Sequence, residues 1–294
     1  MNSRNSITVI LCLLSSIFAS SFLGIPENRY DDQVVSHSAF ILGYSEQHEQ
    51  ARWVSYSLTR EDLQSANERT DDFREDKDVT TGSAKRSDYY KSGYDRGHLA
   101  PAADMKQSWQ TMSESFLLSN ISPQEPGFNR GVWKRLEYLV RQMAFSNSKI
   151  HIVTGPIFQN NHGSIGENEV TVPGYYYKVI LDYEDPEFKA IGFIVPHQSS
   201  TSALSSYCVS VDRVEEVTGL DFFWELPDDI EFKIESNYDY SAWSEQNIKI
   251  PPPSKDVTRG GEKHRCIAIT QKGYQCKRNA QADSKYCWQH QIIE

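Results

Sequence analysis

The stretch NRGVWKRLEYLVRQMAF, residues 129–145, sets Val132, Trp133, Leu136, Leu139, Val140 and Met143 at helical spacing, and three short β-branched and aromatic runs follow it closely. That order of elements constrains the fold more than any other feature. The spacing predicts an amphipathic helix of about four turns. The runs KIHIVTGPIF (149–158), YYYKVILDY (175–183) and KAIGFIVP (189–196) are each bounded by Gly, Pro or acidic residues, and they predict strands of one sheet. A second helix is expected over Ser210–Leu220, closed by Gly219. Helices and strands in this order define an α+β fold, and 294 residues are enough to bury a substantial core.

Both ends of the chain differ from this body. After Arg4 no charge occurs until Glu27, and Ile7–Leu14 is almost wholly apolar. With the small residues Ala19, Ser20 and Ser21 this predicts a signal peptide over 1–21 and a secreted or periplasmic protein. The alternative is an uncleaved membrane anchor, because the uncharged stretch is about the ~20 residues that a spanning helix needs. At the other end PPPSK breaks the pattern, so the expected layout is a main domain over 28–250, a linker over 251–262 and a small module over 263–294. The whole chain carries −10, which argues against nonspecific polyanion binding by its surface at large. Residues 254–290 hold eight Lys or Arg against three Asp or Glu, so the tail is basic.

Chemistry concentrates in SGYDRGHLAPAADM, residues 92–105. His98 follows Asp95, Arg96 and Gly97, and taken alone it reads as an ordinary loop histidine. Asn120, Asn129, Glu137 and Arg141 follow it, the last three on one edge of the predicted helix at multiples of four. If that edge faces the His98 loop, a base, a neutral oxygen ligand, a carboxylate and a guanidinium converge. Plainer readings stand beside this one: Glu137 paired with Arg141, Arg96 with Asp95, and Asn129 as a helix cap.

With RWVSYSL (52–58), RTDDFRED (69–76), SFLLSNISPQEPGFNRGVWKRLE (115–137), IVTGPIF (152–158) and VEEVTGLDFF (214–223), the motif resembles the DNA/RNA non-specific endonucleases of the ββα-metal (His-Me finger) group. The group includes sugar-nonspecific secreted and endonuclease G-like enzymes. The resemblance implies a central mixed or antiparallel sheet flanked by helices and an endonuclease that hydrolyses phosphodiester bonds in DNA and RNA, leaving 5′-phosphate ends. It implies His98 as general base, Asn129 as ligand to Mg²⁺ or Mn²⁺, and Glu137 acting on the metal through water. Arg69, Arg96 and Arg141 would handle phosphate, with Arg74 and Asp95 as further substrate contacts and Asn120 as support. Imidazole suits the base role because its ordinary pKa, ~6.5, lies near neutrality. In a continuous helix the Cα atoms of Asn129 and Glu137 would lie ~12 Å apart, so only one is expected to touch the ion. Asn120-Ile121-Ser122 is also a glycosylation sequon, expected to be unused because a glycan would obstruct the site.

In the tail, Cys266, Cys276, Cys287 and His290 form C-x9-C-x10-C-x2-H. So small a module needs a staple: structural Zn²⁺ on three thiolates and an imidazole, or disulfides that would also draw on Cys208. It would grip nucleic acid or dock a protein. A catalytically silent nucleic-acid-binding or partner-docking protein on the same fold is the rival reading. A protein inhibitor and a homodimer are further partners the sequence leaves open. No H-E-x-x-H cluster supports a zinc-centred hydrolase.

Overall fold

The computed structural model describes residues 24–27, 29–243 and 250–251. The expected signal segment, all of the linker beyond Pro251 and the Cys/His module lie outside the described residues. The strands are β1 (Gln33–Ser36), β2 (Ile41–Ser45), β3 (Gln50–Thr59), β4 (Asp95–His98), β5 (Ile121–Gln124), β6 (Lys149–Ile157), β7 (Ser164–Ile165), β8 (Val170–Thr171), β9 (Tyr175–Asp182), β10 (Lys189–Pro196) and β11 (Cys208–Val209). The α-helices are α1 (Trp109–Glu114), α2 (Lys134–Asn147), α3 (Val211–Thr218) and α4 (Asp228–Glu235). Seven strands build one antiparallel sheet in the order β1-β2-β3-β6-β9-β10-β11. The three strands expected from composition are β6, β9 and β10, at its centre and one side.

Period-two alternation divides the core between the two faces of the sheet. Val54, Tyr56, Leu58, Ile150, Ile152, Tyr176, Ile180, Ile191 and Phe193 face α2, whose Leu136, Val140 and Met143 pack onto them. Trp53, Val153, Tyr177, Val179 and Leu181 point the other way, against Val211 and Val214 of α3, Phe222 and Phe223 in the segment between the two helices, and Ile234 of α4. Truncating any one of these buried side chains to Ala should cost about 2–5 kcal/mol. Helix α3 starts at a Ser210 cap, whose Oγ accepts from the Arg213 N–H, and ends at left-handed Gly219, as its sequence signals imply.

Two expectations need correction. The motif around His98 is not a loop: β4 pairs with β5 in a separate two-stranded ribbon, with His98 opposite Ile121 and Gly97 opposite Ser122. Glycine is required at 97 because a Cβ there would come within 2.1 Å of the Gln124 side chain. Nor is the helix continuous. Phe128–Trp133 is a single π-helical stretch, broken at Gly131 (φ −105°, ψ −106°), and regular α-helix begins only at Lys134. The widened turn takes Asn129 off the i, i+4 line through Trp133, Glu137 and Arg141.

Candidate active site

A strand, its partner strand and a helix are therefore joined in sequence, and the predicted residues cluster around them. His98, the last residue of β4, is 9 % exposed, and its ring meets Phe116 edge-on at 4.9 Å and Phe73 at 5.6 Å. Its Nε2 is buried without a hydrogen-bond partner. Burial first, then the positive charges of Arg69 and Arg96, pushes its pKa down to about 3, so the imidazole is neutral throughout the physiological range. Arg96 lies 4.1 Å over the Phe73 ring and Arg69 lies 4.7 Å over Phe116, so the aromatic pair that boxes the histidine also seats both guanidinium groups.

Asn129 turns back onto the strand that carries His98. Its Nδ2 donates to Asp95 Oδ2 at 3.0 Å, and Arg130 donates to both oxygens of the same carboxylate at 2.8 and 2.6 Å. Burial works against ionisation of Asp95, but the hydrogen bonds from Arg130 and Asn129 outweigh it and hold the carboxyl below the usual range. Asp95, expected on substrate, is thus a partner of Asn129 and Arg130. The helix start is secured by Glu125, whose Oε1 accepts from the Gly127 N–H at 2.9 Å and Oε2 from the Phe128 N–H at 2.6 Å. His197 in turn accepts the Glu125 N–H at 2.7 Å through Nε2 and donates from Nδ1 to the Pro173 carbonyl at 2.7 Å.

Glu137 lies on the next turns of the helix, within the field of a buried network. Lys178, at the centre of β9 and fully buried, donates to Thr154 Oγ1 at 3.1 Å and lies 4.6 Å over the Trp133 ring. Asp104, also buried, accepts from Tyr56 Oη and from Arg141 Nη1, both at 2.9 Å. Burial raises the Glu137 pKa despite Lys178 and Arg141, and burial lowers that of Lys178 despite Glu137. Arg141, expected on phosphate, is paired with Asp104 in the ligand-free chain. Arg69 acts electrostatically on both His98 and Glu137, and Arg96 on both His98 and Asp95, so the groups form one connected field.

The two candidate arginines of RTDDFRED separate clearly. Arg74 donates to Asp72 Oδ2 at 3.0 Å and to the Ser113 carbonyl at 2.8 Å, so it fastens local structure. Arg69 is half exposed, and among the described residues its one ion pair is to Asp71. Asn120 accepts the Ala100 N–H and donates to the Ala100 and Ser115 carbonyls, all at 2.9 Å, so its amide ties the segment after His98 to the end of α1. It is fully buried with its amide spent, which leaves no room for a glycan. Beside Arg96 opens a cleft of about 730 Å³ lined by Arg86, Tyr90, Lys91 and Tyr94, among others. Among the described residues Arg86, Lys91 and Arg96 have no acidic ion-pair partner, although the chain as a whole is acidic. Sequence reasoning passed over Asp104, Glu125, Lys178, His197 and this cleft; only the tyrosines and cations of KRSDYYKSGY offered a signal.

The ribbon strand that carries His98, its partner strand and the helix headed by Asn129 follow one another along the chain, beside one antiparallel sheet. Residues 24–229 match the family described as DNA/RNA non-specific endonuclease, and the chain belongs to this family of endonucleases. It is 36 % identical over 217 residues to the mitochondrial nuclease EXOG of Danio rerio, covering 68 % of this chain and 63 % of that protein. Human mitochondrial endonuclease G is 33 % identical over 205 residues, 65 % of this chain and 69 % of that one. Nuclease C1 of Cunninghamella echinulata is 34 % identical over 209 residues, 65 % and 83 % of the two chains. A solved structure of an EndoG/EndoGI complex, described as showing EndoG inhibition, superposes with TM-score 0.64 at 30 % identity, covering 77 % of this chain and 95 % of that one. The likeness extends to the antiparallel sheet and its helices.

Proposed function

We propose that the protein hydrolyses phosphodiester bonds in both DNA and RNA, with His98 as the base that deprotonates the attacking water. The observation that carries this reading is the buried, neutral imidazole whose Nε2 has no partner and whose ring packs on the same two phenylalanines that seat Arg69 and Arg96. A phosphate seated at Arg69 and Arg96 cancels the charges that depress the histidine's proton affinity. Its basicity therefore rises as substrate binds. The water oxygen forms a bond to phosphorus, its proton passes to Nε2, and the P–O3′ bond breaks; the 3′ oxygen takes a proton from solvent, leaving 3′-hydroxyl and 5′-phosphate ends.

The donor set fits a hard cation such as Mg²⁺ or Mn²⁺: with Nδ2 of Asn129 committed to Asp95, its remaining donor atom is the carbonyl oxygen Oδ1. Bound there, the ion would supply positive charge that stabilises the dianionic transition state. Asp95 and Glu125 fix the carboxamide's direction, and Glu137 orders water beside it. The cationic cleft at Arg86, Lys91 and Arg96, with exposed Tyr90 on its rim, takes the flanking strand through phosphates and base faces rather than base edges. That accounts for low sequence preference.

Export by residues 1–21 and a zinc-stapled tail that adds positive grip are part of the same proposal. Cys208 supports zinc over disulfides in the tail, because it is buried in the main domain and its thiol meets the Leu204 carbonyl. The test is incubation of the purified chain with supercoiled plasmid and with RNA, with Mg²⁺ or with EDTA. Cleavage of both substrates only with the ion supports the reading, and intact substrates at every ion concentration would leave a binding protein on this fold.

A further inference from the structure

On the face of the sheet opposite α2, three carboxylates meet, and among the described residues none of the three is in an ion pair. Asp212 and Glu215 stand three apart on α3, Glu235 is the last residue of α4, and one ligand oxygen from each lies within 4.8 Å of the others. Glu235 is 5 % exposed, and its Oε1 is buried without a hydrogen-bond partner. Glu215 is anchored, one oxygen accepting the Phe222 N–H at 2.7 Å, which aims the carboxylate and leaves the other oxygen available. Glu231 and Asp221 add to the negative field; Arg29 is paired with Asp221, and of the three carboxylates its charge reaches only Glu215. An unpaired carboxylate in such a place costs several kcal/mol unless a proton or a cation neutralises it.

We propose that Asp212, Glu215 and Glu235 form a calcium site that fastens α3 and α4 together on the β10 side of the sheet. Oxygens no more than 4.8 Å apart can share one Ca²⁺ with bonds of about 2.3–2.6 Å, and calcium accepts several carboxylates in an irregular shell. Magnesium favours one or two carboxylates and keeps its waters in a stricter octahedron. Both helices pack against β10, and Ile234 and Val214 lie in the core beneath them, so an ion at this place bridges elements that hold the sheet's second face. The site is independent of the hydrolytic centre, which lies on the other face.

Thermal unfolding of the EDTA-stripped full chain, titrated with CaCl₂ and separately with MgCl₂, tests this in an Asn129→Ala background that removes the catalytic ion's ligand. Ca²⁺ should raise the Tm by several degrees in that background and in the parent alike, with a smaller rise from Mg²⁺. Glu235→Gln should abolish the rise, and Asp212→Asn, at an exposed position that does not threaten folding, should shift the calcium midpoint at least about tenfold upward. No calcium-dependent rise in the Asn129→Ala chain, or a rise unchanged in Asp212→Asn, would overturn the site and leave a protonated carboxyl in its place.

Discussion

Asp95 and Asn129 are joined by a hydrogen bond of 3.0 Å from the carboxamide Nδ2 to a carboxylate oxygen, so the strand that bears His98 also aims the carbonyl oxygen at the head of the helix. Losing Asp95 frees the carboxamide to rotate without deleting it. Asp95→Ala should therefore raise the Mg²⁺ concentration for half-maximal cleavage about 10–100-fold while saturating ion restores much of the rate. A metal titration of cleavage rate checks this; an unchanged midpoint would remove Asp95 from the account.

Arg69 and Arg96 have two effects that a pH profile separates. Each depresses the His98 pKa, so Arg69→Ala should move the acid limb of kcat/KM upward toward the ordinary histidine range as well as weaken substrate binding. Arg74→Ala should leave the profile in place and instead lower stability by about 1–3 kcal/mol, because Asp72 and the Ser113 carbonyl lose their donor. Equal profiles for the two variants would contradict the assignment.

Lys178 is buried beside Glu137, Asp104 and Arg141, and the network balances only while its ammonium is present. Lys178→Met should destabilise the protein by about 3–5 kcal/mol in chemical denaturation at neutral pH. The deficit should shrink as pH falls, because protonating Glu137 removes the charge that the lysine no longer meets. A deficit independent of pH would point to packing alone.

Much of this was legible in the sequence, and the rest was hidden for identifiable reasons. Strands β6, β9 and β10 are dense in β-branched and aromatic residues, and α3 carries both its cap and its terminating glycine, so local chemistry specifies them. The strand under His98 is only DRGH: four residues, one of them glycine, with no alternation to reveal it. It exists because residues 121–124 pair with it across the ribbon. The π-turn rests on one glycine's backbone angles. Lys178 reads as a surface lysine inside YYYKVILDY until β9 is seen at the sheet's interior, and Arg69 and Arg74 are equivalent until Phe116 seats one and Asp72 engages the other.

Acid stability follows from the buried histidines. His48 and His151, pushed down to about 4 by burial, and His98, near 3, stay neutral in the folded chain while the unfolded chain takes up protons below ~6.5. Folded pKa values below the unfolded value mean stability present above ~6.5 and lost as pH falls. Each contributes a loss of about 1–2 kcal/mol by pH 5, and His151→Gln should flatten the decline in a denaturant series between pH 7 and 5. A decline of unchanged slope would assign the acid sensitivity elsewhere.

Imidazole rescue tests the central claim most directly. His98→Ala should lose about 10²–10⁴ in the cleavage rate with plasmid affinity retained, and added imidazole should restore part of the rate in proportion to its neutral fraction. Cleavage that survives the substitution, or a loss that imidazole cannot relieve while Mg²⁺ dependence and binding are intact, would contradict a base at position 98.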